Sequence, residues 1–196
     1  MYRFYLAAID ILPAALLFAP AYLILNKAYF HNSRKSFLYF LFSCYLSAVY
    51  VLVGMPNITY IRPELNLNLI PIIGMIDDWK NSILNLLLFV PLGVILPILW
   101  DRFRIQKNTI LFGFCTSLAI ELLQILTFRA TDVNDLITNT LGTYLGFLCA
   151  GHLFQKHQIT ESDRFRDTGI VIAVVLLTMF FAYPFVSSAL WDFIIS

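Results

Sequence analysis

Long apolar runs alternate along this chain with short stretches that hold most of its charge. A helix rises about 1.5 Å per residue, so roughly 20 mainly apolar residues cross the ~30 Å hydrocarbon core of a bilayer. Six runs reach that length, at about residues 4–25, 36–55, 81–100, 108–127, 133–154 and 169–190. The pattern predicts an all-α, polytopic integral membrane bundle of about six transmembrane helices, with residues 1–196 forming a single membrane domain. The first run has no clear charged leader or cleavage site, so it reads as a retained helix and not a signal peptide. Asp10 and Pro13 interrupt it. Pro91 and Pro97 fall in the third run, where they are expected to kink the helix and leave room for a cavity. The sixth run has no ionisable residue before Asp192 and reads as a lipid-facing wall.

Composition supports lipid as the solvent. The chain is 60% hydrophobic and 13% charged, less ionised surface than a soluble domain of 196 residues needs. A net charge of +1 gives no electrostatic reason to expect nucleic acid. Cys44, Cys115 and Cys149 all lie in apolar runs without a spacing pattern, which predicts small buried side chains and neither disulfide nor zinc. Lys and Arg set the orientation. Lys27, Arg34, Lys35, Arg102, Arg104, Lys107, Lys156, Arg164 and Arg166 fall on one side, nine residues against four (Arg3, Arg62, Lys80 and Arg129) on the other. The nine are expected in the cytoplasm, so both termini and the fourth-to-fifth connection are expected outside. Trp79, Trp100 and Trp191 sit near helix ends, where aromatic belts form.

Against that background one stretch stands out, "IELLQILTFRATDVNDLITNTLG" at residues 120–142. Read as the end of the fourth helix, a short outer turn and the start of the fifth, it places Glu121 roughly 9 Å deep and Gln124 roughly 4–5 Å deep. Asp135 comes out roughly 3 Å deep and Asn139 roughly 9 Å, with Asn85 of the third helix near 6 Å and Asp10 of the first near 9 Å. Four helices thus bring polar groups to one outer layer. Ser117, Glu121 and Gln124 share one side of the fourth helix by their spacing of four and three. Asp135, Asn139, Gly142, Gly146 and Ala150 share one side of the fifth, and Gly142 and Gly146 form a GxxxG pair that admits a neighbouring backbone. A carboxylate at mid-membrane costs about 2.5–3.5 kcal/mol, so these acids need a cation, and Arg129 is the internal candidate. The alternatives are a metal ion or a ligand's positive group. The same network would also serve simply to clamp helices together.

Elsewhere the polar residues read as structural or solvated. His31, His152 and His157 lie in or beside cytoplasmic connections. Glu161, Asp163 and Asp167 mix with Arg164 and Arg166 in what reads as a solvated charge run. The long connection from Pro56 to Lys80 contains "PELNLNLIPI", which is expected to lie along the outer interface and to roof the polar layer, with Asp77 and Asp78 exposed.

These motifs resemble the VanZ-like family of bacterial membrane proteins. The resemblance covers about residues 68–147 and rests on "NLIPI", "NLLLFVPLGVILP", "SLAIELLQ" and "RATDVNDLITNTLGTYLG". Two departures are Thr127–Phe128, where family members often have a glycine, and Thr138, where an apolar residue is commoner. The first, second and sixth helices carry no such resemblance. It implies a bacterial plasma-membrane location and a link to resistance against teicoplanin-type lipoglycopeptides, which act outside the membrane.

Three classes of function follow. The first is a binding or shielding protein whose outward polar pocket engages a lipoglycopeptide or a lipid-linked cell-wall precursor. The ligand-binding set would be Asn85, Glu121, Gln124, Arg129, Asp132, Asp135 and Asn139. The second is an enzyme acting on an envelope substrate, with Glu121 or Asp135 as general acid or base and the other acids on a divalent cation. No nucleophile motif, Gly-rich phosphate loop or His ligand set supports it, and the sequence names no cofactor. The third is a structural partner in an envelope complex. Membrane lipid is an expected partner of all three.

Overall fold

The computed structural model describes residues 2–63, 67–68, 79–127, 131–154 and 165–195. In chain order the elements are α1 (Tyr2–Leu25) with a π-helical turn (Asn26–Phe30), α2 (Ser33–Leu52), β1 (Leu67–Asn68) and α3 (Trp79–Leu99). A 3₁₀ turn (Asp101–Arg104) leads to α4 (Gln106–Gln124), followed by β2 (Thr131–Asp132) and α5 (Val133–Phe154). The last helix is α6 (Phe165–Leu177), a π-helical turn (Thr178–Ala182) and α7 (Tyr183–Ile195). Helices therefore occupy all six expected positions. Among the described residues four are long and apolar enough to cross a membrane: Ile11–Phe30, Ser33–Leu52, Trp79–Leu99 and Arg166–Phe193. The protein is a membrane-spanning helical one. The other two helices, α4 and α5, are those that carry the polar stretch.

Two compact units make up the chain, Met1–Ile61 with Arg164–Ser196, and Arg62–Asp163. In the first, α2 packs on α1 through a stripe of small hydroxyl side chains. Ser36, Ser43 and Ser47 are buried there. Ser36 donates to the Tyr22 carbonyl at 2.9 Å, and Ser43 and Tyr22 share a hydrogen bond of 2.6 Å. Small polar residues let helices approach closely without leaving a hydroxyl unsatisfied in lipid. α2 begins earlier than its apolar run because Asn32 caps it, its side chain accepting from the Lys35 amide. It stops earlier because Gly54 adopts φ 65° just beyond its end, the left-handed conformation that terminates helices.

The last helix departs from the expected lipid-facing wall. Asp167, Thr168, Val171, Val175, Met179 and Tyr183 form a buried stripe at helical spacing, while Leu177, Phe181, Phe185 and Phe193 are exposed. Its π-helical turn lies just before Pro184, whose ring would clash with the carbonyl four residues back and which cannot donate to it. That carbonyl, on Phe180, accepts instead from the Ile58 amide at 3.1 Å.

Asp167 corrects the sequence reading more sharply. It is fully buried, not solvated. Its carboxylate holds the Lys35 ammonium in an ion pair and accepts from the Tyr39 hydroxyl at 3.4 Å. Phe30 and Tyr39 present their rings to the same ammonium at 5.8 and 5.6 Å. Starting the helix at Phe165 instead of Gly169 turns this acid onto the buried stripe.

The second unit is organised around α5. A Cβ added to Gly142 would lie 2.2 Å from the Leu86 carbonyl oxygen, and one added to Gly146 would lie 2.0 Å from that of Val90. One added to Gly93 would meet the Thr143 carbonyl oxygen at 2.0 Å. The backbones of α3 and α5 are thus in contact along the GxxxG face. The contacts advance together along both helices, so α3 and α5 run parallel. α3 is unbroken through Pro91 and Pro97. On its other side α5 packs antiparallel to α4, where Gly113 accepts the Thr143 side chain. Trp100 sits at the end of α3 but is fully buried against Phe103, with ring centroids 6.0 Å apart, and so contributes to no belt. All three cysteines are free thiols, and Cys115 and Cys149 are exposed where burial was expected.

Candidate functional site

The sequence places Ser117, Glu121 and Gln124 on one stripe of α4, and the fold turns that stripe inward. Their exposures are 0%, 3% and 5%. Facing them from α5 is Asn139, 3% exposed, whose amide donates to Ser117 Oγ at 2.9 Å. One turn nearer the α4–α5 link, Glu121 Oε2 accepts the backbone N–H of Asp132 at 2.8 Å. Asp132 Oδ1 in turn accepts the Asn134 N–H at 2.8 Å, closing the entry to α5 as an N-terminal cap would. The carboxylate of Glu121 therefore fixes the chain where it turns from α4 into α5.

A second strand of backbone joins here. β1 pairs in parallel with β2, Leu67 opposite Thr131 and Asn68 opposite Asp132. The Arg62 amide donates to the Leu126 carbonyl at 2.8 Å. Arg62, Leu67 and Asn68 of the long connection thus lie along the polar turn. Asp77 and Asp78 lie outside the described residues.

Asp132 and Asp135 are half-buried. Asn85 is half-buried on α3, next to Leu86, whose carbonyl meets Gly142. In that register it lies within about 3 Å of Asn139 along the helix axis. Arg129 lies outside the described residues, and so does the side chain of Asp10. The structure thus pairs Asn139 with Ser117 and the Asp132 backbone with Glu121, with Gln124 buried on the same stripe as Ser117 and Glu121. Among the described residues Asn139 Oδ1 is buried without a hydrogen-bond partner. A buried amide oxygen in that state is costly and marks a place for a donor.

Residues 37–155 match the sequence profile of the VanZ/LLP1 family. The chain belongs to that family. It is also 29% identical over 119 residues to Protein VanZ of Enterococcus faecium, covering 60% of this chain and 71% of that protein. No solved structure matches it. The matched region is wider than the motif-bearing stretch 68–147 and takes in most of α2, which carried no resemblance on its own motifs.

Within the VanZ/LLP1 region, two groups that the sequence left in the background matter to the geometry. Thr138 is buried and bonds back to the carbonyls of Asn134 and Asp135 at 3.0 and 3.2 Å. This local back-bonding satisfies the hydroxyl inside the buried face of α5. Thr143, fully buried, donates to the Asn139 carbonyl at 3.0 Å while its side chain fills the notch at Gly113. Its spacing of four from Asn139 was the available signal. Among the described residues no group of three or more His, Cys, Asp or Glu is placed to hold a metal ion. An open groove of about 470 Å³ runs between α4 and α5, lined by Ile110, Phe114, Leu136, Ile137, Thr140 and Tyr144 among others. Ser117, Glu121, Gln124 and Asn139 do not line it.

Proposed function

We propose that this VanZ/LLP1 protein protects bacterial cells against lipoglycopeptides of the teicoplanin type. In this reading the polar layer at the α4–α5 turn faces out of the cell and engages an amphiphile, either the acylated drug or a lipid-linked cell-wall precursor. The orientation follows from the nine-to-four distribution of Lys and Arg. The observation that carries the reading is Asn139, buried at 3% exposure beside Ser117, its side-chain carbonyl oxygen lacking a partner among the described residues. A polar group kept unsatisfied there needs a reason other than clamping, since a clamp is best when complete. An amide or hydroxyl donor on a polar head group supplies the missing bond, and the apolar helices around it suit an acyl chain.

Expression in a susceptible host tests this. The expected result is raised survival in teicoplanin with little change in vancomycin, which has no acyl chain. Asn139→Leu, which keeps the branched shape and the number of side-chain heavy atoms but no polar group, should abolish protection at an unchanged membrane level. Equal protection against both drugs, or full protection by Asn139→Leu, would refute the reading.

A further inference from the structure

The groove between α4 and α5 has a chemistry of its own. Gln106 and Lys107 lie at one end, and Ile110, Phe114, Thr140 and Tyr144 continue it as an apolar wall. An adjoining lobe at the Lys107 end measures about 590 Å³. Gln106 to Phe114 spans about 12 Å of helix, most of the ~15 Å of hydrocarbon in one leaflet. The long axis of the groove follows the helices, as a lipid chain does. Its polar end is also basic. Lys107 is exposed and forms no ion pair among the described residues, whereas nearby Arg104 is engaged with Asp101 at 3.2 Å. The same end is the start of α4, where Ile105 provides no side-chain cap and the first amides favour an anion. Among the described residues no acidic side chain lines either lobe.

We infer that this groove is a binding site for one anionic glycerophospholipid, its phosphate on Lys107 and Gln106 and an acyl chain along Ile110, Phe114, Thr140 and Tyr144. The charge decides the class. A zwitterionic lipid fits the apolar wall equally well but gains less from an unpaired ammonium beside an uncapped helix start. The site lies at the opposite end of α4 from Glu121 and is independent of the proposed drug response.

The test is native mass spectrometry of the full chain released from nanodiscs of equimolar phosphatidylglycerol and phosphatidylcholine of matched chains. Retained phosphatidylglycerol should exceed phosphatidylcholine by about fivefold, the advantage of one well-placed Lys near a membrane surface. Lys107→Gln should bring the ratio near one, while Lys80→Gln, an exposed lysine outside the groove, should leave it unchanged. Thr140→Trp should displace both lipids by filling the groove. Lys107→Gln is a surface change that keeps the fold, so its result stands even if Thr140→Trp fails to express. An unchanged ratio in Lys107→Gln, a ratio near one in the parent protein, or a concentration-dependent dimer cross-linked through Phe114→Cys would overturn the inference.

Discussion

Gly146→Ala is the sharpest probe of the way α5 is held. The new Cβ would lie 2.0 Å from the Val90 carbonyl oxygen and 3.0 Å from Gly93 Cα, where ordinary contacts begin at 3.4 Å. The obstructing atom belongs to the α3 backbone and cannot rotate away. The two helices must therefore part by about 1.4 Å at that point. A gap of 0.5–1 Å already forfeits a quarter to a half of each dispersion contact across an interface. Overpacking of this kind costs about 1–3 kcal/mol, and a rigid obstacle puts it in the upper half. Alanine also gains roughly 1 kcal/mol of helix propensity over glycine, which would mask part of the loss. Gly151→Ala removes that ambiguity. It lies on the same helix with nothing within 4 Å of its added Cβ, so the propensity gain is common to both variants and the difference isolates the contact. A difference of about 2 kcal/mol corresponds to roughly 4–8 °C in a chain of this size. The assay is thermal unfolding of the detergent-solubilised variants side by side. If Gly146→Ala is as stable as Gly151→Ala, the backbones of α3 and α5 are not in contact and the register of the site residues on α5 is wrong.

Two further outcomes follow from buried charges. Lys35→Met or Asp167→Leu alone should destabilise by about 3–5 kcal/mol, because each leaves the other charge buried and uncompensated, whereas the double variant should recover most of the loss. Melting temperatures of the three variants decide it, and single variants indistinguishable from the parent would contradict the pairing. At the site, Glu121→Ala should cost about 1–3 kcal/mol by removing the acceptor of the Asp132 amide, while Glu121→Gln keeps an oxygen in place and should fold normally. Full protection by Glu121→Gln in the drug assay would exclude Glu121 as a general base.

Much of the architecture was legible because it is local. Apolar runs of bilayer length and the 3.6-residue period depend only on neighbours along the chain. They located six helices and put Ser117, Glu121 and Gln124 on one stripe, with Asn139, Gly142 and Gly146 on another. The fifth helix matches its expected bounds of 133–154 because Asp132 caps one end, and an acid before an apolar run is itself a local signal.

What tertiary structure alone decided involves partners far apart in sequence. Asp167 looked solvated beside Arg164 and Arg166. Its partner is Lys35, 132 positions away, and only the packing of α6 on α2 shows that. Gly142 and Gly146 advertised a close approach but not that α3 would make it, nor that Gly113 would take Thr143 from the other side. Glu121 also accepts the backbone amide of Asp132, eleven positions on across the turn, a partner that helical spacing does not name. The physical reason is the same each time. Periodicity says which face of a helix is buried, but the identity of the partner depends on the relative rotation and depth of two helices, which only the assembled chain sets.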